Sequence, residues 1–136
     1  MNDLKRFLDA QERDYRTALA EIGNGRKISH WMWYIFPQID GLGFSSTAKF
    51  YAIRDLDEAK NYFEHPVLGE RLVEISNALL EIDGKTANQI LGSPDDMKLK
   101  SSMTLFGALE NTNAVFQKVL DKYYDGEKDG KTLQLI

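Results

Sequence analysis

Apolar residues recur at three- and four-residue spacing along most of this chain. Leu4, Phe7, Leu8, Tyr15, Ala18, Leu19 and Ile22 give residues 3–22 the stripe of an amphipathic helix. Asn2 or Asp3 offers its cap, and Gly23-Asn24-Gly25 stops it. The run from Ser29 to Gln38 (Ser-His-Trp-Met-Trp-Tyr-Ile-Phe-Pro-Gln) breaks the pattern because its apolar residues are continuous. Trp31, Trp33 and Ile35 share one parity, so a strand competes with a helix there. No neighbouring segment offers a partner strand, and the run reads as a short buried helix over 30–36, capped by Ser29 and ended before Pro37.

The periodicity then resumes. Ser45 or Ser46 caps a short helix over 47–53, and Asp55-x-x-Glu58 opens another over 56–64 as a capping box does. His65 reads as a cap, and Pro66 takes the first position of a helix running to about Ile82. Val67, Leu68, Leu72, Ile75, Leu79, Leu80 and Ile82 form its apolar face. A short helix over 86–91 stops at Gly92. Ser93, Pro94, Asp95 and Asp96 then open a long helix to about Glu110. Asn111 to Asn113 cap a last long helix that buries Val115, Phe116, Val119 and Leu120, ends at Asp125-Gly126, and leaves a short tail over 132–136. No paired alternating runs, repeats or linkers occur. The expected fold is all-α, a single multihelical orthogonal bundle forming one domain over 1–136.

Composition narrows the function classes. Apolar residues make up 43% and charged residues 28%, the mixture of a folded soluble protein. A net charge of −4 argues against a nucleic-acid or membrane-surface partner. The absence of cysteine excludes disulfides, thiolate metal sites and a cysteine nucleophile, and suits a cytoplasmic location. No apolar leader follows Met1, so no signal peptide or spanning helix is expected. The two histidines are far apart in sequence, and no metalloprotease, EF-hand, P-loop or nucleophile-elbow pattern appears; neither a metal nor a cofactor is expected.

Three features carry possible chemistry. His30, of the residue type that most readily gains or loses a proton near neutral pH, stands at a helix start beside Trp31. The loop Gly41-Leu42-Gly43-Phe44-Ser45-Ser46 combines glycine amides with hydroxyls, a pattern that cradles anions but that also makes ordinary turns. The run Asp95-Asp96-x-Lys98-x-x-Ser101-Ser102-x-Thr104 places a lysine against the helix dipole and three hydroxyls where they cost helix propensity. Such a polar face turns inward toward another helix or toward a ligand. The resulting expectation is an aromatic-walled pocket between the tryptophan run and Pro94. His30, Asp96 and Lys98 are its candidate catalytic groups. Trp31, Trp33, Gln38, Gly41, Gly43, Ser45, Asp95 and Ser101 are its candidate ligand contacts. A small anionic, nucleotide-like or phosphorylated ligand suits tryptophan stacking with a lysine. The competing reading is a protein-binding adaptor that exposes the tryptophans as a patch.

Four runs together resemble one known family: 29–38 as given above, Gly-Leu-Gly-x-Ser (41–45), His-Pro-x-Leu-Gly-x-Arg-Leu (65–72) and Pro-Asp-Asp-x-Lys-Leu-x-Ser-Ser-Met-Thr-Leu-Phe (94–106). This is the domain-of-unknown-function family 1810, small bacterial proteins sometimes labelled calpastatin. The resemblance covers nearly the whole chain and implies an all-helical fold without an established activity. The order of Met103, Phe106, Phe116, Leu120, Gly126 and Leu133 is also similar to the C-terminal half of the NADAR family. That similarity implies an N-glycosidase acting on an ADP-ribose-type or riboflavin-pathway metabolite. NADAR proteins carry a glutamate soon after the final leucine, whereas Gln134, Leu135 and Ile136 follow Leu133 here.

Overall fold

Helix α1 (Lys5–Gly23) turns Phe7, Ala10, Ala18 and Ile22 into the core, along the stripe that its spacing predicts. The computed structural model describes residues 4–136, so the expected cap at Asn2 or Asp3 lies outside the described residues. Eight further helices follow among the described residues: α2 (Met32–Ile35), α3 (Ser46–Tyr51), α4 (Leu56–Glu64), α5 (Leu68–Leu80), α6 (Ala87–Leu91), α7 (Asp95–Gly107), α8 (Val115–Tyr124) and α9 (Gly130–Leu135). The fold is all-α and multihelical, as expected. The one β feature among those residues is an isolated parallel bridge between Ile39 and Ile53.

Helix α7 is central: it packs on α4, α6, α8 and α9, while α5 joins α1, α4 and α8. Rings link these layers through the core. Phe7 meets Tyr62 edge-on at 5.0 Å, Tyr62 meets Phe106 at 5.3 Å, and Phe106 meets Phe116 at 6.0 Å. Gly69 lets α5 cross close to α4, because a Cβ there would stand 1.9 Å from the Phe63 carbonyl oxygen.

Several caps match the sequence. Ser45 Oγ accepts the Ala48 amide at 3.1 Å, and His65 Nδ1 accepts the amides of Val67 and Leu68. Asp55 caps α4 by accepting the Glu58 amide at 2.9 Å, but Glu58 accepts from Arg54 N rather than from Asp55 N, so the reciprocal box is not made. Other expectations are corrected. Pro66 precedes α5, which begins at Leu68. Helix α7 begins at Asp95, and its N-cap is Pro94 without a side-chain cap, so Ser93 does not serve. Residues 132–136 are not a tail: Asp129 caps α9 by accepting the Thr132 amide at 3.0 Å.

Ser29 also has another role. Helix α2 begins at Met32 with no side-chain cap. The Ser29 hydroxyl donates instead to Glu21 Oε2 at 2.7 Å. Glu21 Oε1 accepts the amides of Ile28 and Ser29 and the indole N–H of Trp31, at 2.7, 2.9 and 2.9 Å. Burial works to raise this carboxyl's pKa, but the bonds from Ser29, Ile28 and Trp31 outweigh it and bring it to about 2. One carboxylate at the end of α1 thereby fixes the position of the aromatic run.

Candidate functional site

The aromatic run divides by side. Trp31 is 1% exposed and belongs to the core. Trp33 faces the other way and walls a cavity of about 490 Å³ between α2, the loop after it, α3 and the start of α7. That volume lies within the roughly 300–1,000 Å³ of small-molecule sites. Gln38, Tyr51, Met97, Lys98 and Ser101 also line it, and Phe44 stands at its edge, 79% exposed. A second cavity of about 420 Å³ shares Trp33, Pro94 and Lys98 with the first and adds Lys27, His30 and Asp95.

Local bonds position these walls. The Ile53 amide donates to the Gln38 carbonyl and the Asp40 amide to the Ile53 carbonyl, both at 2.8 Å, which ties the loop beside α2 to the end of α3. Arg6 supports the Tyr51–Ala52 wall from behind: its Nε donates to Phe50 O and its Nη2 to Ala52 O, each at 2.8 Å. The buried Glu58 carboxylate accepts from the same Nη2 at 3.1 Å.

Lys98 stands between the two cavities, its ammonium 5.2 Å from the Trp33 ring centre and 3.5 Å from Asp95 Oδ1. Asp95 is held more closely by Lys27, at 3.0 Å. Lys27 is locked in turn: it donates to Ser29 O at 2.6 Å and lies 5.1 Å from the Trp31 ring centre. Lys27 therefore neutralises Asp95, and Lys98 is the more loosely held cation. Its side chain keeps 26% of its surface exposed, against 8% for Lys27.

The structure brings together Trp33, Gln38, Gly43, Ser45, Lys98 and Ser101 at the first cavity, and His30 and Asp95 at the second. Three residues expected there lie elsewhere. Trp31 is committed to Glu21. Gly41 is outside both cavities, packed against Leu135. Asp96 accepts the Met97 amide at 2.9 Å and the Asn88 amide group at 3.3 Å, and borders neither cavity. The Ser45 hydroxyl, although on the rim, is occupied as the cap of α3.

The inward hydroxyls of α7 chiefly meet a helix. Ser101 Oγ donates to Asp129 Oδ2 at 3.2 Å, and Thr104 Oγ1 accepts the Asp129 amide at 2.9 Å. They dock the start of α9, which adds Asp129 and Lys131 to the cavity. Ser102 is fully buried and its hydroxyl has no partner among the described residues. Sequence reasoning missed Tyr51, Met97, Lys27, Asp129 and Lys131. The Asp129-x-x-Thr132 spacing was a legible cap signal for α9; nothing local marked Tyr51.

Among the described residues no group of three histidine, cysteine or carboxylate side chains is placed to hold a metal ion, and no helix is long and apolar enough to cross a membrane.

The helical architecture and the four sequence runs define a family. The chain belongs to the family described as "Protein of unknown function (DUF1810)", whose model matches residues 1–136. It is similar to the crystal structure of the conserved hypothetical protein Rv1873 from Mycobacterium tuberculosis, with 45% identity, a TM-score of 0.97, and coverage of 99% of this chain and 96% of that one. No curated protein matches. The weaker similarity to the NADAR family has no support in these comparisons.

Proposed function

We propose that this chain is a single-domain binding protein for a small anionic ligand, nucleotide-like or otherwise phosphorylated, taken into the cavity walled by Trp33. The observation that carries the reading is the state of Lys98. Its position in the first turns of α7 opposes the helix dipole, so the fold gains little from a cation there. Its contact with Asp95 is long, and Asp95 is already neutralised by Lys27. An anion entering the cavity meets an ammonium group beside an aromatic wall, with Lys131 also present. The reading is one of binding. Of the catalytic candidates, Asp96 is engaged at its own helix start, and His30 lies across Trp33 in the second cavity. A cytoplasmic location suits a chain without cysteine.

The burial of Trp31 weighs against the adaptor alternative, because the two tryptophans form no common exposed patch. The test is a titration with phenyl phosphate and with nucleoside monophosphates, followed by tryptophan fluorescence and by the amide shifts of residues 41–46 and 94–102. These signals should move together in the parent, and Lys98→Met should abolish the response while remaining folded. A parent that ignores every phosphate-bearing probe, or a Lys98→Met protein that binds them as well as the parent, refutes the proposal.

A further inference from the structure

From Asp40 to Ala52 no residue is buried, whereas the residues on either side, Ile39 and Ile53, are 2% and 0% exposed. The two ends of this segment meet. Ile39 and Ile53 form the parallel bridge, closed by the bonds from Asp40 N to Ile53 O and from Ile53 N to Gln38 O. The segment includes α3 and is a surface flap of the Ω type, long in chain and narrow at its base. Leu42, Phe44, Ala48, Tyr51 and Ala52 bring it to the 490 Å³ cavity, which Trp33, Met97 and Lys98 line from the rest of the molecule.

Buried apolar surface is the main source of local stability, so a segment without buried side chains opens more cheaply than the core around it. The apolar hold on this flap is narrow. Helix α3 packs chiefly on α2. Tyr51, half-buried, sets its ring against Tyr34 at 5.0 Å and Phe7 at 6.0 Å. A polar hold comes from Arg6 of α1, which donates to Phe50 O and Ala52 O, each at 2.8 Å. These carbonyls stand at the end of α3, where carbonyls lack partners within the helix and the dipole favours a cation. The guanidinium is itself fixed, 3.1 Å from Glu58 Oε1 and 4.3 Å from the Phe7 ring centre, and the side chain is 6% exposed. Arg6 lines neither cavity.

We infer that residues 40–52 form a flap that opens and closes as one unit about the Ile39–Ile53 bridge, and that Arg6 is the positioning residue that latches it over the cavity. Arg6 acts on a ligand only through the wall it holds. The effect on phosphate binding rests on the function proposed above; the flap and its latch do not.

Amide exchange and phenyl phosphate binding, measured on the parent and on Arg6→Lys, test this. Lysine keeps the charge beside Glu58 but lacks the planar fork that reaches two carbonyls. In the parent, the amides of Ala48 and Lys49, both bonded to Ser45, and that of Ala52 should share one exchange rate well above that of the buried turns of α7. The Ile53 amide, at the bridge, should stay slow. In Arg6→Lys the three flap amides should speed up together by about tenfold, as hydrogen bonds from a charged donor are lost, with Ile53 and α7 unchanged. Phenyl phosphate should slow the flap amides of the parent, and should bind Arg6→Lys several-fold more weakly through faster dissociation. Flap amides that exchange as slowly as α7 in the parent overturn the inference, and that measurement decides the matter if Arg6→Lys does not fold. Acceleration spread evenly over the whole chain also overturns it, because Arg6 is then an ordinary structural residue. Faster flap exchange with undiminished phenyl phosphate binding refutes the positioning role of Arg6. The expected exchange pattern in a parent that binds no phosphate probe upholds the flap and its latch and refutes the anion reading instead.

Discussion

The ammonium of Lys98 lies 5.2 Å from the centre of the Trp33 ring, within the range of a cation–π contact. This contact joins the two stretches that wall the cavity, one from α2 and one from the start of α7. It also leaves the lysine half free, since Trp33 offers no charge and Asp95 is claimed by Lys27 at 3.0 Å. A cation held by a ring face can turn toward an anion without breaking a strong pair.

The charge arrangement predicts opposite effects for two neighbours. Lys98→Met should change stability by less than about 0.5 kcal/mol, because the lost cation–π contact and partly exposed ion pair are offset by relief from the helix dipole. Asp95→Asn should cost about 1–2 kcal/mol, because Lys27 is nearly buried and loses its counter-charge. The same substitution should tighten phosphate binding several-fold, since the competing carboxylate is gone. Urea unfolding and a phenyl phosphate titration of both variants check the pair of signs.

The two tryptophans should respond differently to truncation. Trp31→Ala should cost about 3–5 kcal/mol, because it empties a packed site and removes one of the three hydrogen bonds that Glu21 Oε1 accepts. Trp33→Ala should cost markedly less, about 1–2 kcal/mol, because its ring already borders open volume. Iodide offers a second measurement: in Trp33→Phe the remaining emission, from Trp31, should resist quenching. Equal urea midpoints for the two alanine variants would contradict the assignment of Trp31 to the core and Trp33 to the cavity.

Glu21 makes stability depend on acid. Its folded pKa of about 2 lies below the ordinary 4.5, so its contribution is complete above about pH 4.5 and is lost as the pH falls toward 2. The difference corresponds to a contribution on the order of 3 kcal/mol. Glu21→Gln should therefore be less stable than the parent at pH 7, and the gap should narrow between pH 5 and 2. Urea midpoints across that range, taken as parent minus variant, remove the contribution of the other carboxylates. A gap that stays constant with pH would refute the assignment.

Asp129 controls the C-terminal helix. Its Oδ2 accepts from the Thr132 amide, the Thr132 hydroxyl and Ser101, at 3.0, 2.5 and 3.2 Å. Asp129→Ala removes a helix cap, worth about 1 kcal/mol, and leaves the buried Thr132 hydroxyl unpaired, a further 1–3 kcal/mol or so. Amide exchange in residues 130–135 should accelerate before the rest of the chain is affected. Exchange that rises uniformly through all the helices would show that α9 is not a separately anchored element.

The helices were largely legible in the sequence because their causes are local. A 3.6-residue stripe, a capping side chain and a stop signal all lie within a few residues of the element they shape, as at Asp55 for α4 and Ser45 for α3. Helix α9 was equally local, and its Asp129-x-x-Thr132 cap went unread because a short polar segment resembles a tail. The division between Trp31 and Trp33 had no local cause. Both sit in an unbroken apolar run, and the choice is made by Glu21, a carboxylate ten residues away whose approach depends on how α1 ends. The same holds for the hydroxyls of α7, whose partner Asp129 stands 28 residues beyond Ser101, and for Tyr51, which shares a wall with Gln38 because the Ile39–Ile53 bridge ties the two segments together. Sequence determined which segments become helices and which residues are apolar, since those follow from the chain's own periodicity. Tertiary structure alone decided which side of each residue meets protein and which is left facing a cavity, because that depends on charges and backbone groups brought in from distant parts of the chain.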